Sequence, residues 1–398
     1  MKIKTTQTKK HTGRNLILLN SNLKRERFFK ATHNASIRMA HFNDYALHPE
    51  KFTDAFSTGD GIYFEMLNVA VINFNREDEI DFVNRELSGK AVLSVEPERY
   101  VYKIGAKGSR AKTPDDNPEF SWGIRATGVF ETPFTGKGVN IAILDTGVFK
   151  QHVDLKGRKI KTKKFVSTGS AGDIDGHGSH CTGIACGYKD TDGFRYGVAC
   201  ESNIFAGKVL DDEGEGTDGS ILAGIEWAMT NNCRVISMSL GAASQPGEPY
   251  SETYESVAKR AVKNGTLILA AAGNESNRPS FVAPVGHPAN CPSIMAVGAV
   301  DSSMKIAPFS CGGTRAKGGQ VDIAAPGVSV YSMINEQGKH EKWDGTSMAT
   351  PFVAGIAGLF FEQNKKAGPL GVWAMITQHA KRLKLSSADA GSGLVQAP

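Results

Sequence analysis

Three residues set far apart along the chain, Asp145, His177 and Ser347, could together carry out acyl-transfer chemistry. Ser347 stands in Gly345-Thr346-Ser347-Met348-Ala349-Thr350-Pro351, directly ahead of the apolar run 352–361. That pattern predicts a long buried helix with the serine at its mouth. There the hydroxyl lies near the positive end of the helix dipole, and Pro351 falls in the first turn or so, where a missing N–H is tolerated. Read alone, Ser347 is more simply an N-cap on a core helix. A serine nucleophile needs a base and a group that orients the base. His177 opens the small-residue stretch His177-Gly178-Ser179-His180-Cys181, which suits a tightly packed helix. Asp145 closes the apolar, β-branched run 139–144, which reads as a buried strand.

The elements that must bring these side chains together alternate along the chain. Apolar runs at 139–144, 204–209, 234–238, 266–272 and 294–300 are separated by helical patterns such as 220–231 and 251–264. This predicts an α/β fold, a doubly wound and mainly parallel sheet with helices on both faces and the site at the carboxyl ends of strands. Asp145, Ser239 and Asn274 each end or follow such a strand. Upstream, residues 15–104 read as a small α+β unit: a strand over 14–20, a helix over 23–40, two apolar pieces within 61–75, a helix over 77–87 and a strand over 91–104. The Gly-, Pro- and Lys-rich stretch 105–118 reads as a linker.

Bulk properties narrow the function classes. A chain of 398 residues with 40% hydrophobic and 22% charged residues can bury one large core and a smaller one. No run approaches the roughly 18 apolar residues of a membrane helix, so no membrane partner is expected. The formal charge of +5 does not imply nucleic acid, although residues 1–40 hold ten Lys/Arg against one acid, Glu26. A second basic run, Lys156 to Lys164, lacks interleaved aromatics and is expected to be a surface loop. Leu16-Ile17-Leu18-Leu19 is too short for a signal-peptide core, which favours a cytoplasmic location with reduced thiols over secretion. The six cysteines (181, 186, 200, 233, 291 and 311) form no C-x-x-C pattern and most simply read as small core residues.

Asp145-Thr146-Gly147, His177-Gly178-Ser179-His180 and the segment around Ser347 resemble, in order, the three signature segments of the subtilisin-like serine proteases. Ile225-Glu226-Trp227-Ala228, 235–241, 270–274 and 296–300 are also similar to family segments, so the resemblance runs over roughly residues 120–398. It implies a self-processing zymogen of a serine endopeptidase working through an Asp-His-Ser triad and an acyl-enzyme, with no organic cofactor. Ser347 would be the nucleophile, His177 the base and Asp145 its orienting group. Asn274 would give the oxyanion donor beside the Ser347 N–H. Residues 1–104 resemble the family's ferredoxin-like inhibitory pro-domain, most clearly over 69–104. That implies a folding assistant whose tail crosses the active site, a maturation cut in or near 105–118 and a catalytic domain over 119–398.

The resemblance also implies where substrate lies. Ser239-Leu240-Gly241 corresponds to the edge segment that pairs with an extended peptide, and Ala271, Ala272 and Gly273 to a wall of the P1 pocket. Such small residues favour a large apolar P1 within a broad specificity. Glu275 beside Asn274 either admits a basic P1 or is a solvated charge. Asp154, with Asp190 and Asp192 in a loop one residue longer than the usual pattern, corresponds to a calcium site, the alternative being surface acids without a metal. Cys181 lies on the His177 face, as in the thiol-containing branch of the family. The expected partners are a protein or peptide substrate and the chain's own pro-domain, in a monomer. Two other readings are a catalytically inactive binding relative and a metal hydrolase built on Asp145, His177 and His180.

Overall fold

The structure is a computed structural model describing residues 10–45, 60–73, 79–87, 91–105, 118–167, 169–314 and 318–398. The expected linker therefore lies outside the described residues except at its ends, Gly105 and Pro118, as does most of 38–59.

The first unit runs β1 (His11–Leu19), a helix Arg25–Asn34, β2 (Met39–His41), β3 (Gly61–Phe64), β4 (Val69–Ile72), a helix Glu79–Glu86 and β5 (Val92–Lys103). Strand order β5-β1-β4-β3-β2 gives the βαββαβ topology of a ferredoxin-like sheet, with short β2 added at the edge. The helix expected over 23–40 stops at Asn34; Ser36 takes a positive φ of 62° and the chain turns into β2, which pairs parallel with β3.

Period-2 alternation explains why β1 reads as continuously apolar. Ile17 and Leu19 join Tyr63 and Ile72 against the unit's own helices through Phe28 and Val83. Leu16 and Leu18, with Ile62, Phe64 and Val71, face the other way. A sheet buried on both faces needs a cover for each, and the second cover comes from the larger unit.

That larger unit is built on seven strands: β6 (Asn140–Asp145), β7 (Ile160–Lys164), β8 (Asn203–Lys208), β10 (Val235–Met238), β12 (Leu267–Ala271), β13 (Met295–Val300) and β14 (Ile323–Pro326). They form one parallel sheet in the order β14-β13-β12-β10-β6-β8-β7. Successive residues of β6 serve opposite layers. Ile141 and Ile143 pack with Val353 and Ile356 of the helix Thr346–Gln363. Ala142 and Leu144 pack with Ile225 and Val257 of the helices Asp218–Thr230 and Glu252–Lys263. The outer surfaces of those two helices cover the first unit's sheet. Glu98 accepts from the Gly219 N–H at 2.9 Å and Glu96 from the Thr253 N–H at 2.8 Å, each an acid at a helix N-terminus, where the dipole favours it.

The basic run expected to be a loop is β7, the edge strand paired with β8. An edge strand tolerates lysines because their stems lie on apolar surface while the ammonium stays wet. Lys161 lies over the Phe205 ring and Lys163 over Phe165. The short strands β9 (Glu215–Thr217) and β11 (Leu240–Gly241) and the hairpin β15 (Val330–Met333) and β16 (His340–Trp343) complete the frame. No helix among the described residues is long and apolar enough to cross a membrane.

Candidate active site

Asp145 is the last residue of β6 and fully buried. Its Oδ1 accepts from His177 Nδ1 at 2.7 Å and from the Thr146 N–H at 2.7 Å. His177 is the first residue of the helix His177–Cys186, which is pressed onto the Asp145-Thr146-Gly147 turn. Gly178 permits that approach, since a Cβ there would sit 2.2 Å from the Gly147 carbonyl oxygen. Two buried groups lock the junction. Thr146 Oγ1 accepts from the Gly178 N–H at 2.8 Å, and Asp173 accepts from the N–H groups of Gly176 and Ser179 at 2.8 and 2.7 Å. The imidazole is thus held by a capped helix end on one side and a strand end on the other.

Ser347 lies in the first turn of the helix Thr346–Gln363 and is fully buried. Pro351 is in the second turn, later than expected, and its missing N–H leaves the Ser347 carbonyl without its helical donor. Ser239 Oγ at 2.9 Å and Cys181 Sγ at 3.5 Å donate to that carbonyl instead. Cys181 Sγ is also 4.0 Å from His177 Nδ1, so it touches both helices of the site. The Ser347 hydroxyl donates to the Ser239 carbonyl at 3.0 Å, and His177 Nε2 is buried without a hydrogen-bond partner. Nucleophilic attack requires the hydroxyl to leave Ser239 for that nitrogen.

What occupies the cleft is the chain itself. β5 runs antiparallel to β11 on one side, with Leu240 opposite Lys103, and antiparallel to β9 on the other, with Val101 opposite Gly216. The Ile104 N–H donates to the Ser239 carbonyl at 3.3 Å, and a Cβ on Gly105 would be 3.2 Å from His177 Nε2. Gly345, at φ 153°, leaves room for this crossing: a Cβ there would meet Asn274 Nδ2 at 3.1 Å and the Ile104 carbonyl oxygen at 3.3 Å. Asn274 Oδ1 accepts from the N–H and hydroxyl of Thr346 at 3.0 and 2.9 Å, which aims its Nδ2 donor toward the same space. If Asn274 serves as an oxyanion donor, replacing it by alanine is expected to lower kcat by about 10²–10³, the loss typical when one such donor is removed, with KM nearly unchanged. Steady-state kinetics on a peptide substrate check it; a change confined to KM would remove Asn274 from transition-state stabilisation.

Beside Asn274 the cleft continues as a cavity of about 700 Å³ lined by Gly241, Glu275 and His287 together with residues of β5. Ala271 and Ala272 are buried and do not line it, whereas Glu275 lines it and is exposed.

Electrostatics separate the two neighbouring histidines. Burial works against charge on His177, but the adjacent Asp145 carboxylate and the Cys181 side chain together outweigh it and hold the imidazolium well above the ordinary histidine range. His180 is pushed down to about 3 by burial, stacks on Trp343 at 4.6 Å and donates from Nε2 to the Glu341 carbonyl at 3.1 Å. Its ring is a packed core group, and the ligand cluster formed by Asp145 and His177 takes in Cys181 rather than His180, so the metal-hydrolase set is not assembled.

The three acids expected at a calcium site, Asp154, Asp190 and Asp192, form no side-chain cluster among the described residues. Asp154 is engaged by His340 and Tyr196, Asp190 accepts from the Tyr331 hydroxyl at 2.9 Å, and Asp192 is exposed. Calcium takes six to eight oxygens, whereas the groups around Asp154 are two imidazoles and a phenol. Among the described residues, the side chains that could jointly hold a metal are Asp145–His177–Cys181 and His152–Asp154–His340.

Sequence reasoning missed Asp173, β9 and the Thr346 contacts to Asn274. Asp173 precedes its helix by four residues, outside the usual cap position. β9 works through its backbone and carries no side-chain signal.

Fold and site together define a parallel α/β protein with a carboxylate, an imidazole and a hydroxyl gathered at one sheet rim, facing a groove for an extended strand. The chain belongs to the Subtilase family, whose model matches residues 136–394. It is 39% identical over 241 residues to "Subtilisin E" of Bacillus subtilis (strain 168), covering 61% of this chain and 60% of that relative's length. It is also 39% identical over 241 residues to "Subtilisin" of Bacillus pumilus, covering 83% of that protein. A "Thermostable alkaline protease" of Halalkalibacterium halodurans is 34% identical over 329 residues. That alignment covers 80% of this chain, more than residues 105–398 alone supply, so the likeness reaches into the N-terminal unit.

Proposed function

We propose that the chain is a serine endopeptidase made as a zymogen, with residues 1–104 as its intramolecular inhibitor and Ile104–Gly105 as the bond cut at maturation. The observation that carries this reading is the position of β5, an antiparallel strand held between β9 and β11, with the residues that follow it, Ile104 and Gly105, against Ser239, Gly345 and His177. Main-chain pairing of this kind accepts many sequences. Ile104 stands at P1, in keeping with an apolar preference.

In the reaction Ser347 Oγ attacks the P1 carbonyl carbon as its proton passes to His177 Nε2. Asp145 keeps the Nδ1–H tautomer in place and stabilises the imidazolium. Asn274 Nδ2 and the Ser347 N–H receive the developing oxyanion, and the imidazolium returns its proton to the leaving amine. Water then repeats the sequence on the acyl-enzyme.

A fluorophosphonate probe applied to the matured chain is expected to modify Ser347 stoichiometrically and abolish peptide hydrolysis. Peptide mapping by mass spectrometry checks it. Hydrolysis that survives full labelling, or a label on another residue, would overturn the assignment.

A further inference from the structure

Among the described residues, one group of side chains able to ligate an ion lies outside the catalytic centre. His152 precedes the short turn Val153–Leu155, His340 opens β16, and their rings pack edge to face with centroids 5.2 Å apart. Asp154 lies between them. Its Oδ2 accepts from His340 Nε2 at 2.7 Å and from the Tyr196 hydroxyl. Its Oδ1 is 3.6 Å from His152 Nδ1 and has no hydrogen-bond partner, although the side chain is only 1% exposed. A buried carboxylate oxygen left unpaired is rare and calls for an explanation.

His152 is oriented as a ligand is. His152 Nε2–H donates to the Lys339 carbonyl at 3.2 Å, which leaves the Nδ1 lone pair facing Asp154; its contact there is a long N–H bond of 3.3 Å from the Asp154 backbone. A carbonyl fixing the far nitrogen is the usual support for a metal-bound imidazole. The His340 ring is stacked on Tyr331, with centroids at 5.0 Å and planes 10° apart. One ligand atom from each of His152, Asp154 and His340 lies within 4.8 Å of the others.

We propose that His152 Nδ1, Asp154 Oδ1 and His340 Nε2 hold a divalent ion of the zinc class. Two imidazole nitrogens and one carboxylate are a donor set for such an ion, with water in the fourth position, and a poor one for calcium. On binding, the His340 proton moves from Nε2 to Nδ1 and the bond to Asp154 Oδ2 is given up, while the Tyr196 hydroxyl still donates to that oxygen. The ion ties the 152–155 turn to β16, and β16 ends four residues before Ser347. Its role is to brace the strand that leads into the nucleophile.

The test uses the full-length Ser347→Ala chain, freed of metal by chelator and dialysis. One equivalent of Co²⁺ is expected to give the visible absorption of a four-coordinate nitrogen/oxygen site. Zn²⁺ at 100-fold excess over its Kd is expected to raise the melting midpoint by about 3–5 °C, and Ca²⁺ to leave it unchanged. His340→Gln and Asp154→Asn, checked for folding by circular dichroism, lose both responses. Cys181→Ala keeps both, which excludes the Asp145–His177–Cys181 group as the site. The proposal fails if the parent shows neither the cobalt band nor the zinc shift, the cluster then being a metal-free hydrogen-bonded latch. It also fails if calcium stabilises as much as zinc, or if the band survives in both ligand variants.

Discussion

Full-length Ser347→Ala is expected to stay at 398 residues, while wild type loses its first 104 and gains a new amino terminus at Gly105-Ala106-Lys107. The expectation rests on two contacts. The Ile104 N–H is bonded to the Ser239 carbonyl, the same oxygen that receives the Ser347 hydroxyl, so the serine and the last residue of β5 share one acceptor. Gly105 lies against His177 Nε2, where the leaving amine must collect its proton. Removing the nucleophile of subtilisin costs about 10⁶ in kcat, which turns maturation within minutes into maturation over years. Gel mobility and amino-terminal sequencing decide the matter. Shortening of the alanine variant would assign the cut to another protease, and a wild-type terminus far from Gly105 would assign a different bond.

How far the site could be read from sequence depended on how local its causes are. Asp145, His177, Asn274 and Ser347 could be singled out as candidates because acyl transfer calls for those residue types, and because each ends or follows a strand or opens a helix that its neighbours announce. The strands of the parallel sheet were readable because both faces are buried, so their sequences are unbroken apolar runs. β7 was hidden for the opposite reason: at the edge its lysines reach solvent, and only its pairing with β8 makes it a strand. The early stop of the first helix at Asn34 depends on β3, which recruits residues 39–41 into the sheet.

Asp154 shows the limit most clearly. Its likeness to a calcium ligand is local, whereas the partner that changes its chemistry, His340, is 186 residues away in sequence. No window around Asp154 contains that information. The same is true of Pro351, whose unmade helical bond is compensated by Ser239 and Cys181 from two other elements.

Asp145→Asn is expected to lower kcat by about 10⁴ while leaving the fold and substrate KM nearly intact. The amide matches the carboxylate in size, so the packing is kept, although an NH₂ in place of Oδ1 also takes the acceptor from the Thr146 N–H; the loss in kcat comes from the imidazole. With a carboxylate at 2.7 Å, His177 carries its proton on Nδ1 and presents a lone pair at Nε2. An amide NH₂ turned toward the ring stabilises the opposite tautomer, which cannot accept from Ser347.

The pH profile separates this cause from general misfolding. In wild type, burial opposes the charged ring but Asp145 and Cys181 together outweigh it, so His177 stays protonated above the ordinary histidine range. Activity needs the neutral ring, so the acidic limb of kcat/KM should lie above pH of about 6.5 and rise with pH. Without the carboxylate, burial, which disfavours the charged ring and is the largest single influence on it, is opposed by Cys181 alone, and the limb should move to lower pH even as the plateau falls. An Asp145→Asn enzyme whose plateau falls while its limb stays fixed would show that Asp145 positions the ring without setting its charge.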